Sequence, residues 1–371
     1  MVNLPLREEL RGAEPYGAPQ DPVPVRLNVN ENPYPVPDQV VQTMVKALEE
    51  IAPGLNRYAD RDASELRADL AAYLKKESSV TLEPDQIWAA NGSNEVMLHL
   101  FQAYGGAGRV ALSAIPTYSM YHEYARDTGT AWATVERTDD FTLDLGKLEQ
   151  ALHQHRPSLL LLASPNNPTG TALPLTQVRQ ILRMCATTGP QIDGADTATV
   201  VVIDEAYAEF RRPNVPSALT LLADHPHLVV SRTMSKAFSL AGLRLGYCAG
   251  DPTIIRHLQT VRLPYHLSAV TQACARAALA HSDQLLAAVD QLRQRRDDLV
   301  QWLREEGFTV AESDANFVLF GPFANREDVF QQLLAKGILI RVVGPEGWLR
   351  ASVGTESEDA RLRAALKEIT R

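Results

Sequence analysis

The stretch Ser231-Arg-Thr-Met-Ser-Lys-Ala-Phe-Ser-Leu-Ala-Gly-Leu-Arg-Leu-Gly246 surrounds one lysine, Lys236, with hydroxyls and a cation. Thr233 and Ser235 precede the lysine, and Arg244 follows it by eight positions. Hydroxyl groups, backbone N–H groups and a guanidinium together favour binding of a dianion such as a phosphate. A nearby cation also lowers the pKa of a lysine, which makes it a better nucleophile. Without its neighbours, a lysine at such a place is usually an ordinary surface charge.

Two further motifs follow apolar runs that have the length of buried strands. Residues 200–203 lead into Asp204-Glu-Ala-Tyr207, and residues 159–163 lead into Ser164-Pro-Asn-Asn-Pro-Thr-Gly170. In an open α/β sheet, ligands bind beyond the carboxyl ends of the strands. A buried Asp204 there needs a cationic partner, although a helix cap is an alternative interpretation. Tyr207 and Asn167 offer donors to a ligand oxygen, and a plain tight turn is the alternative for Asn167.

Lys236, Asp204, Tyr207 and Asn167 together provide the groups that one cofactor requires. A lysine that makes a Schiff base, an acid for a pyridinium nitrogen and donors for a phenolate oxygen are what a pyridoxal phosphate enzyme requires. The sequence therefore predicts a pyridoxal 5'-phosphate cofactor attached to Lys236.

Other segments offer weaker candidates for the same site. Ser93 and Asn94 follow an apolar run and open a helical stretch, so their backbone N–H groups are suited to a phosphate or to an ordinary helix cap. Tyr118 is suited to stacking on a planar ring, or to a core or interface. Arg350 lies within an apolar strand and requires an anion, from a substrate or from an internal salt bridge. Arg341 ends a similar run and is a second cation, or a surface charge.

Short apolar runs alternate with helical stretches from residue 87 onward, which predicts a mostly parallel α/β sheet covered on both faces. We assign 1–40 to an N-terminal arm, 41–262 to a large cofactor-binding domain and 263–371 to a smaller α+β domain. One long helix is expected from Ser282, with Arg293, Arg295, Arg296, Asp297 and Asp298 on its solvated side.

Composition excludes several classes of protein. The 371 residues carry a formal net charge of -9 without a long run of like charge, which argues against nucleic acid and anionic membranes as partners. Three widely spaced cysteines predict a reduced compartment without disulfides, and the nine histidines show no metal-ligand spacing. No metal is expected from the histidine pattern, and the polar N-terminus and the lack of a spanning apolar run predict a soluble, cytoplasmic protein.

Taken together, the motifs resemble those of the fold-type I pyridoxal phosphate aminotransferases along nearly the whole chain. Further segments resemble those of the histidinol-phosphate aminotransferases, and two of them resemble the actinobacterial branch. The general segments are Val25-Arg-Leu-Asn-Val-Asn-Glu-Asn-Pro-Tyr34, Asn56-Arg-Tyr58, Asp314-Ala-Asn-Phe-Val-Leu-Phe320 and Gly337-Ile-Leu-Ile-Arg341, and the actinobacterial ones are Pro15-Tyr-Gly-Ala-Pro19 and Arg262-Leu-Pro-Tyr-His-Leu-Ser268.

The resemblance implies a seven-stranded large-domain sheet, a homodimer with shared active sites, and a role for each matching residue. Lys236 would bind the cofactor and move a proton, Asp204 would pair with the ring nitrogen, and Tyr118 would cover the ring. Tyr207 and Asn167 would contact the phenolate oxygen. The implied phosphate contacts are Ser93, Asn94, Ser235, Arg244 and, from the partner subunit, Tyr58. The implied substrate contacts are Tyr34, Asn316, Arg341 and Arg350. The substrates would be L-histidinol phosphate and glutamate, or 2-oxoglutarate in the reverse direction.

Two positions depart from the family pattern. Val342 stands where an Asp is common after the arginine, and Ala59 stands where a Pro is usual after Tyr58. An aromatic amino acid aminotransferase on the same scaffold is the main alternative. A non-catalytic cofactor-binding module and a related lyase or decarboxylase are further alternatives.

Overall fold

The computed structural model describes residues 4–370. Residues 1–3, which open the N-terminal segment predicted to be polar, and residue 371 of the predicted small domain lie outside this range. Within the described range, no helix combines the length and the apolar character needed to cross a bilayer.

Strands and helices alternate through most of the chain. The strands are β1 (Val25–Arg26), β2 (Ile87–Asn91), β3 (Val110–Ile115), β4 (Ala131–Glu136), β5 (Leu159–Ala163), β6 (Val200–Asp204), β7 (Leu228–Thr233), β8 (Leu245–Gly250), β9 (Thr309–Val310), β10 (Phe317–Gly321), β11 (Ile338–Leu339) and β12 (Leu349–Ser352). The α-helices are α1 (Asp38–Ile51), α2 (Ser64–Ser78), α3 (Ser93–Tyr104), α4 (Met120–Thr128), α5 (Leu145–His155), α6 (Leu175–Cys185), α7 (Pro252–Val261), α8 (Ala269–Leu279), α9 (Ser282–Leu286), α10 (Val289–Glu305), α11 (Arg326–Ala335) and α12 (Glu356–Ile369). Short 3₁₀ segments cover Glu8–Leu10, Ala52–Gly54, Pro84–Gln86, Ala208–Phe210, Ala218–Asp224 and Ala241–Leu243.

The main sheet has the strand order β2-β8-β7-β6-β5-β3-β4 within residues 4–370. Pairing is parallel except that β8 runs antiparallel to both of its neighbours, β2 and β7. The predicted mostly parallel, seven-stranded α/β sheet is thus confirmed. Apolar runs at residues 87–90, 109–112, 159–163, 200–203, 228–230 and 245–249 predict the other six strands of this sheet, but none predicts β4. It lies at the sheet edge with only Val135 of its residues buried, so it lacks a continuous apolar run.

Alternate residues of the central strands enter two separate cores. Leu160, Leu162 and Val201 belong to one hydrophobic cluster with helices α1, α2, α6 and α8. Leu159 and Leu161 point to the opposite face and pack with residues of α3, α4 and α7. Burial on both faces explains why these strands read as continuous apolar runs.

A further core lies around the antiparallel sheet β12-β10-β9 and helices α10, α11 and α12. Val25 and Leu27 of the N-terminal arm belong to it, and β1 pairs in parallel with β11. Residues up to Leu292 pack with the large-domain core, whereas Leu299 packs here. We therefore propose that the domain boundary falls within α10 rather than at residue 262.

The long helix predicted from Ser282 is interrupted, because α9 ends at Leu286 and α10 begins at Val289. Arg296, assigned by sequence to a solvated face, is fully buried. Its Nη1 donates to the carbonyl oxygens of Phe210 at 2.9 Å and Ala315 at 3.3 Å. That prediction was wrong because a helical charge pattern does not reveal which carbonyl groups the neighbouring loops leave in need of a donor.

Candidate active site

One edge of the main sheet collects the predicted site residues. Strands β2, β3, β5, β6 and β7 all end at this edge, and the antiparallel strand β8 begins there. Side chains that follow the parallel strands, or precede β8, are therefore brought together although more than 140 positions separate Ser93 from Arg244. This edge is where open α/β sheets bind their ligands.

A cavity of about 550 Å³ opens at this edge. Twelve of the fifteen predicted site residues line it: Ser93, Asn94, Tyr118, Asn167, Asp204, Tyr207, Thr233, Ser235, Lys236, Arg244, Arg341 and Arg350. The structure thus brings a nucleophile, an acid, three arginines and several hydroxyls to one enclosed space.

Lys236 follows β7 and projects into the cavity. Its Nζ donates to the carbonyl oxygen of Val29 at 2.8 Å. Burial, together with the positive charges of Arg350 and Arg244, lowers the pKa of the amine to about 8, although Glu31 opposes this shift. The unprotonated, nucleophilic fraction of this amine near neutral pH is therefore much larger than for an ordinary lysine.

Asp204 is the last residue of β6 and is buried. One carboxylate oxygen accepts from the Tyr121 hydroxyl at 2.8 Å and the other from the backbone N–H of Ala206 at 3.2 Å. Burial raises the pKa of Asp204 to about 6, which the two hydrogen bonds counteract. The carboxylate accepts hydrogen bonds but forms no salt bridge with any of residues 4–370, so it is available to a cationic ligand group.

A cluster of donors faces the cavity beside the start of α3. The hydroxyl of Thr233 lies 3.0 Å from that of Ser235, and Arg244 donates to Ser235 at 3.4 Å. Gly92 has a φ of +82°, and a Cβ there would meet the Arg244 guanidinium. At Gly246 a Cβ would lie 2.0 Å from the backbone nitrogen of Ser93. Because both glycines lack a side chain, Arg244 and strand β8 can lie close to the first residues of α3. Together these groups form a pocket suited to a phosphate.

Tyr207, Asn167 and Arg350 form a connected polar wall. Asn167 donates to the Tyr207 hydroxyl oxygen at 3.4 Å and accepts from Arg350. Arg350 also donates to the carbonyl oxygen of Asn28 at 2.7 Å, and its guanidinium lies 5.1 Å from the Phe317 ring centroid. Burial lowers the pKa of Arg350 to about 10, and its Nε has no hydrogen-bond partner within residues 4–370. Such a dehydrated cation is suited to an incoming anion.

Three predicted residues do not line the cavity. Asn316 is buried behind it and donates to the carbonyl oxygen of Asn30 at 3.1 Å. Tyr34 packs against the large-domain core. Tyr58 is 80% exposed and stacks on Tyr265 with ring centroids 4.3 Å apart, away from the cavity of its own chain.

Other lining residues had no role in the sequence interpretation. They include Tyr16, Asn28, Val29, Asn30, His122 and Trp132. The Asn28-Val-Asn30 stretch was visible within the arm motif, but nothing in its composition indicated that the arm would cross the cavity. Tyr121 lies behind Asp204, and its position one helical turn after Tyr118 is the signal that could have placed both on one face.

The donors suit pyridoxal phosphate in their chemistry. The cradle of Ser93, Ser235 and Arg244 fits a phosphate, the unpaired carboxylate of Asp204 fits a protonated ring nitrogen, and the amine of Lys236 fits an aldehyde. A doubly covered α/β sheet with these groups at its carboxyl edge defines a pyridoxal phosphate-dependent enzyme of fold type I.

Comparisons with known proteins narrow this class. The sequence model of the family "Aminotransferase class I and II" matches residues 22–369. A histidinol-phosphate aminotransferase of Bifidobacterium longum is 54% identical, with 100% of this chain and 97% of the relative covered. One of Thermobifida fusca is 53% identical, with 99% and 96% covered. The crystal structure of the Sinorhizobium meliloti histidinol-phosphate aminotransferase with pyridoxal-5'-phosphate has a TM-score of 0.85, 24% identity, and 99% and 98% coverage. The chain belongs to the class I and II aminotransferases.

We predict that Lys236 titrates with a midpoint near 8 in the cofactor-free protein. The substitution Arg350→Met removes a cation that destabilises the protonated form of Lys236, so the titration midpoint of Lys236 should rise. Acetylation of Lys236 as a function of pH, followed by peptide mass spectrometry, measures both values. Arg341→Met is the control, because Arg341 is not among the groups that shift this pKa. A wild-type midpoint near the ordinary value of 10.5 would contradict the electrostatic account.

Proposed function

We propose that the enzyme is a histidinol-phosphate aminotransferase. It transfers an amino group reversibly between L-histidinol phosphate and 2-oxoglutarate, giving imidazole acetol phosphate and glutamate. The proposal rests mainly on sequence identity: about half of the residues are identical to those of histidinol-phosphate aminotransferases along the whole chain. The cavity wall also contains Arg341 and Arg350, which could bind anionic substrates. This activity would place the enzyme in histidine biosynthesis.

Pyridoxal phosphate, when bound, supplies an aldehyde that accepts amino groups and a ring that withdraws electrons. Lys236 Nζ would hold this aldehyde and, when free, would take a proton from the substrate α-carbon and return it. Its pKa near 8 suits both directions of transfer, because a base is most effective when its pKa lies near the working pH.

The other residues would bind and orient the cofactor and the substrate. Asp204 would keep the ring nitrogen protonated, since a cation beside it relieves the cost of its buried charge. Ser93, Asn94, Ser235 and Arg244 would hold the cofactor phosphate, and Thr233 would support Ser235.

Tyr118 would cover the cofactor ring, and Tyr207 with Asn167 would donate to its phenolate oxygen. The two substrate anions would meet Arg341 and Arg350. Arg350 is dehydrated and rigidly held, which suits a carboxylate or phosphate bound by two parallel hydrogen bonds. The structure gives Asn316 and Tyr34 no direct access to the cavity, so we propose that they act by supporting the arm and the core.

We further propose a homodimer with shared active sites. Several large apolar side chains are exposed in the single chain: Val41, Val45, Leu55, Tyr58 and Leu263. Val41 and Val45 lie one turn apart on α1, which gives that helix an uncovered apolar face. A second copy covering this face would explain both the exposure and the distance of Tyr58 from its own cavity. The predicted cytoplasmic location remains a prediction.

The substrate assignment is tested by competition between amino acceptors. The enzyme loaded with the amino group should prefer imidazole acetol phosphate to phenylpyruvate by more than about tenfold in kcat/KM, because the pocket supplies cations for the phosphate. Steady-state rates with both acceptors present measure the ratio. The aromatic residues Tyr16 and Trp132 line the same cavity and favour the alternative substrate class. A preference for phenylpyruvate of tenfold or more would make the protein an aromatic amino acid aminotransferase instead.

The shared site is tested at Tyr58. Tyr58→Phe should raise the dissociation constant for pyridoxal phosphate by about tenfold, the effect of losing one hydrogen bond to a charged group. Equilibrium dialysis with absorbance detection measures it. Tyr104→Phe serves as the control, because the Tyr104 hydroxyl contacts His257 outside the cavity. Unchanged affinity in Tyr58→Phe, or a monomer that binds the cofactor as tightly as the native assembly, would contradict the proposal.

A further inference from the structure

The N-terminal arm carries a buried asparagine whose side chain and backbone are both fully engaged. Asn30 is 2% exposed and has a φ of +56°, a left-handed conformation that Asn tolerates better than most residues. It lies between Tyr207 of the large domain and Ser352 and Asn316 of the small one. A buried polar side chain that contacts both parts of the chain can transmit the position of one part to the other.

The hydrogen bonds favour one orientation of the Asn30 amide, because within residues 4–370 the buried Ser352 hydroxyl finds an acceptor for its proton only at Asn30 Oδ1. Its backbone N–H donates to Ser352 Oγ at 2.9 Å, and Ser352 Oγ in turn donates to Asn30 Oδ1 at 3.1 Å. The carbonyl group of Asn30 accepts from Asn316 at 3.1 Å. With Oδ1 held by Ser352, Nδ2 faces the Tyr207 hydroxyl at 2.9 Å and donates to it. The small domain therefore sets the orientation of a donor that acts on the large domain.

This orientation has a chemical consequence for Tyr207. Its oxygen accepts from Asn30 and from Asn167, so its single proton remains for an acceptor inside the cavity. An amide turned by 180° would present Oδ1 and draw that proton away from the cavity. Donation to the hydroxyl oxygen also makes a hydroxyl a stronger donor, because linked hydrogen bonds polarise one another.

We propose that Asn30 is a positioning residue that directs the Tyr207 proton toward the phenolate oxygen of the bound cofactor, and that Ser352 and Asn316 hold Asn30 in that orientation. The proposal rests on the cofactor contact proposed for Tyr207.

The same segment also touches the two other groups on which the reaction depends. The carbonyl oxygen of Val29 accepts from Lys236 at 2.8 Å, and that of Asn28 accepts from Arg350 at 2.7 Å. Three consecutive arm residues thus contact the nucleophile, the anion-binding arginine and the hydroxyl donor. A displaced arm would alter all three contacts together, so the test must isolate the contact of Asn30.

The test uses the holoenzyme and the pH midpoint at which the absorbance of the lysine-bound cofactor changes. A donor to the phenolate oxygen stabilises the deprotonated form, so weakening it raises the midpoint. Asn30→Gly removes the amide while tolerating the positive φ, and it should raise the midpoint by about 0.5 pH units, the size of a weakened hydrogen bond. Tyr207→Phe should raise it further. Adding Asn30→Gly to Tyr207→Phe should then have no additional effect.

A matched variant separates this effect from loosening of the arm. Asn32 lies two residues away and anchors the arm through the carbonyl oxygen of Ala237 at 3.0 Å. Asn32→Ala should leave the midpoint unchanged, and an equal rise in that variant would overturn the proposal. An unchanged midpoint in Asn30→Gly while Tyr207→Phe raises it would overturn the role of Asn30 alone. An equal rise with and without the Tyr207 hydroxyl would show that Asn30 does not act through it. No rise in Tyr207→Phe would overturn the proposed cofactor contact as well.

Discussion

Burial of charge without a counter-ion is the constraint on which the site depends. Asp204, Lys236 and Arg350 are all held by neutral groups: a tyrosine hydroxyl, a backbone carbonyl group, and a carbonyl and an amide oxygen. Each charge is dehydrated, and none is neutralised by a salt bridge in the described chain. Removing water raises the pKa of the acid and lowers the pKa values of the two cations. A ligand that carries matching charges recovers this cost on binding.

The neighbouring residue Glu205 shows what the same carboxyl chemistry does when it is paired. Glu205 is equally buried, but its oxygens lie 2.8 Å from Arg232 and 3.4 Å from Arg211. These cations lower its pKa despite burial, whereas the pKa of Asp204 is raised. The pKa values of two consecutive acids are therefore shifted in opposite directions, because Asp204 faces the cavity whereas Glu205 lies in an ion-pair network. The network fixes the end of the strand, and the unpaired acid is left for a ligand.

The sequence alone was sufficient to predict those features of the structure that depend on residues close together in the chain. Continuous apolar runs predicted the central strands, and the position of Lys236 and Arg244 next to strand ends pointed to a segment that lines the cavity. Residues whose role depends on distant partners were not accessible in this way. Asn316 reaches the site through the arm residues Asn30 and Glu31, Tyr121 contacts Asp204 from helix α4, and Arg296 is buried by loops distant in sequence. Edge strand β4 was missed because exposure removes the apolar signal.

The most direct test of the central claim is to find which side chain carries the cofactor. Borohydride reduction of the holoenzyme, followed by digestion and peptide mass spectrometry, fixes the cofactor on the amine to which it was attached. The account predicts the tag on Lys236 alone, since this amine has a lowered pKa and lies in the same cavity as Asp204. A tag on another lysine, or no tag on any residue, would contradict it.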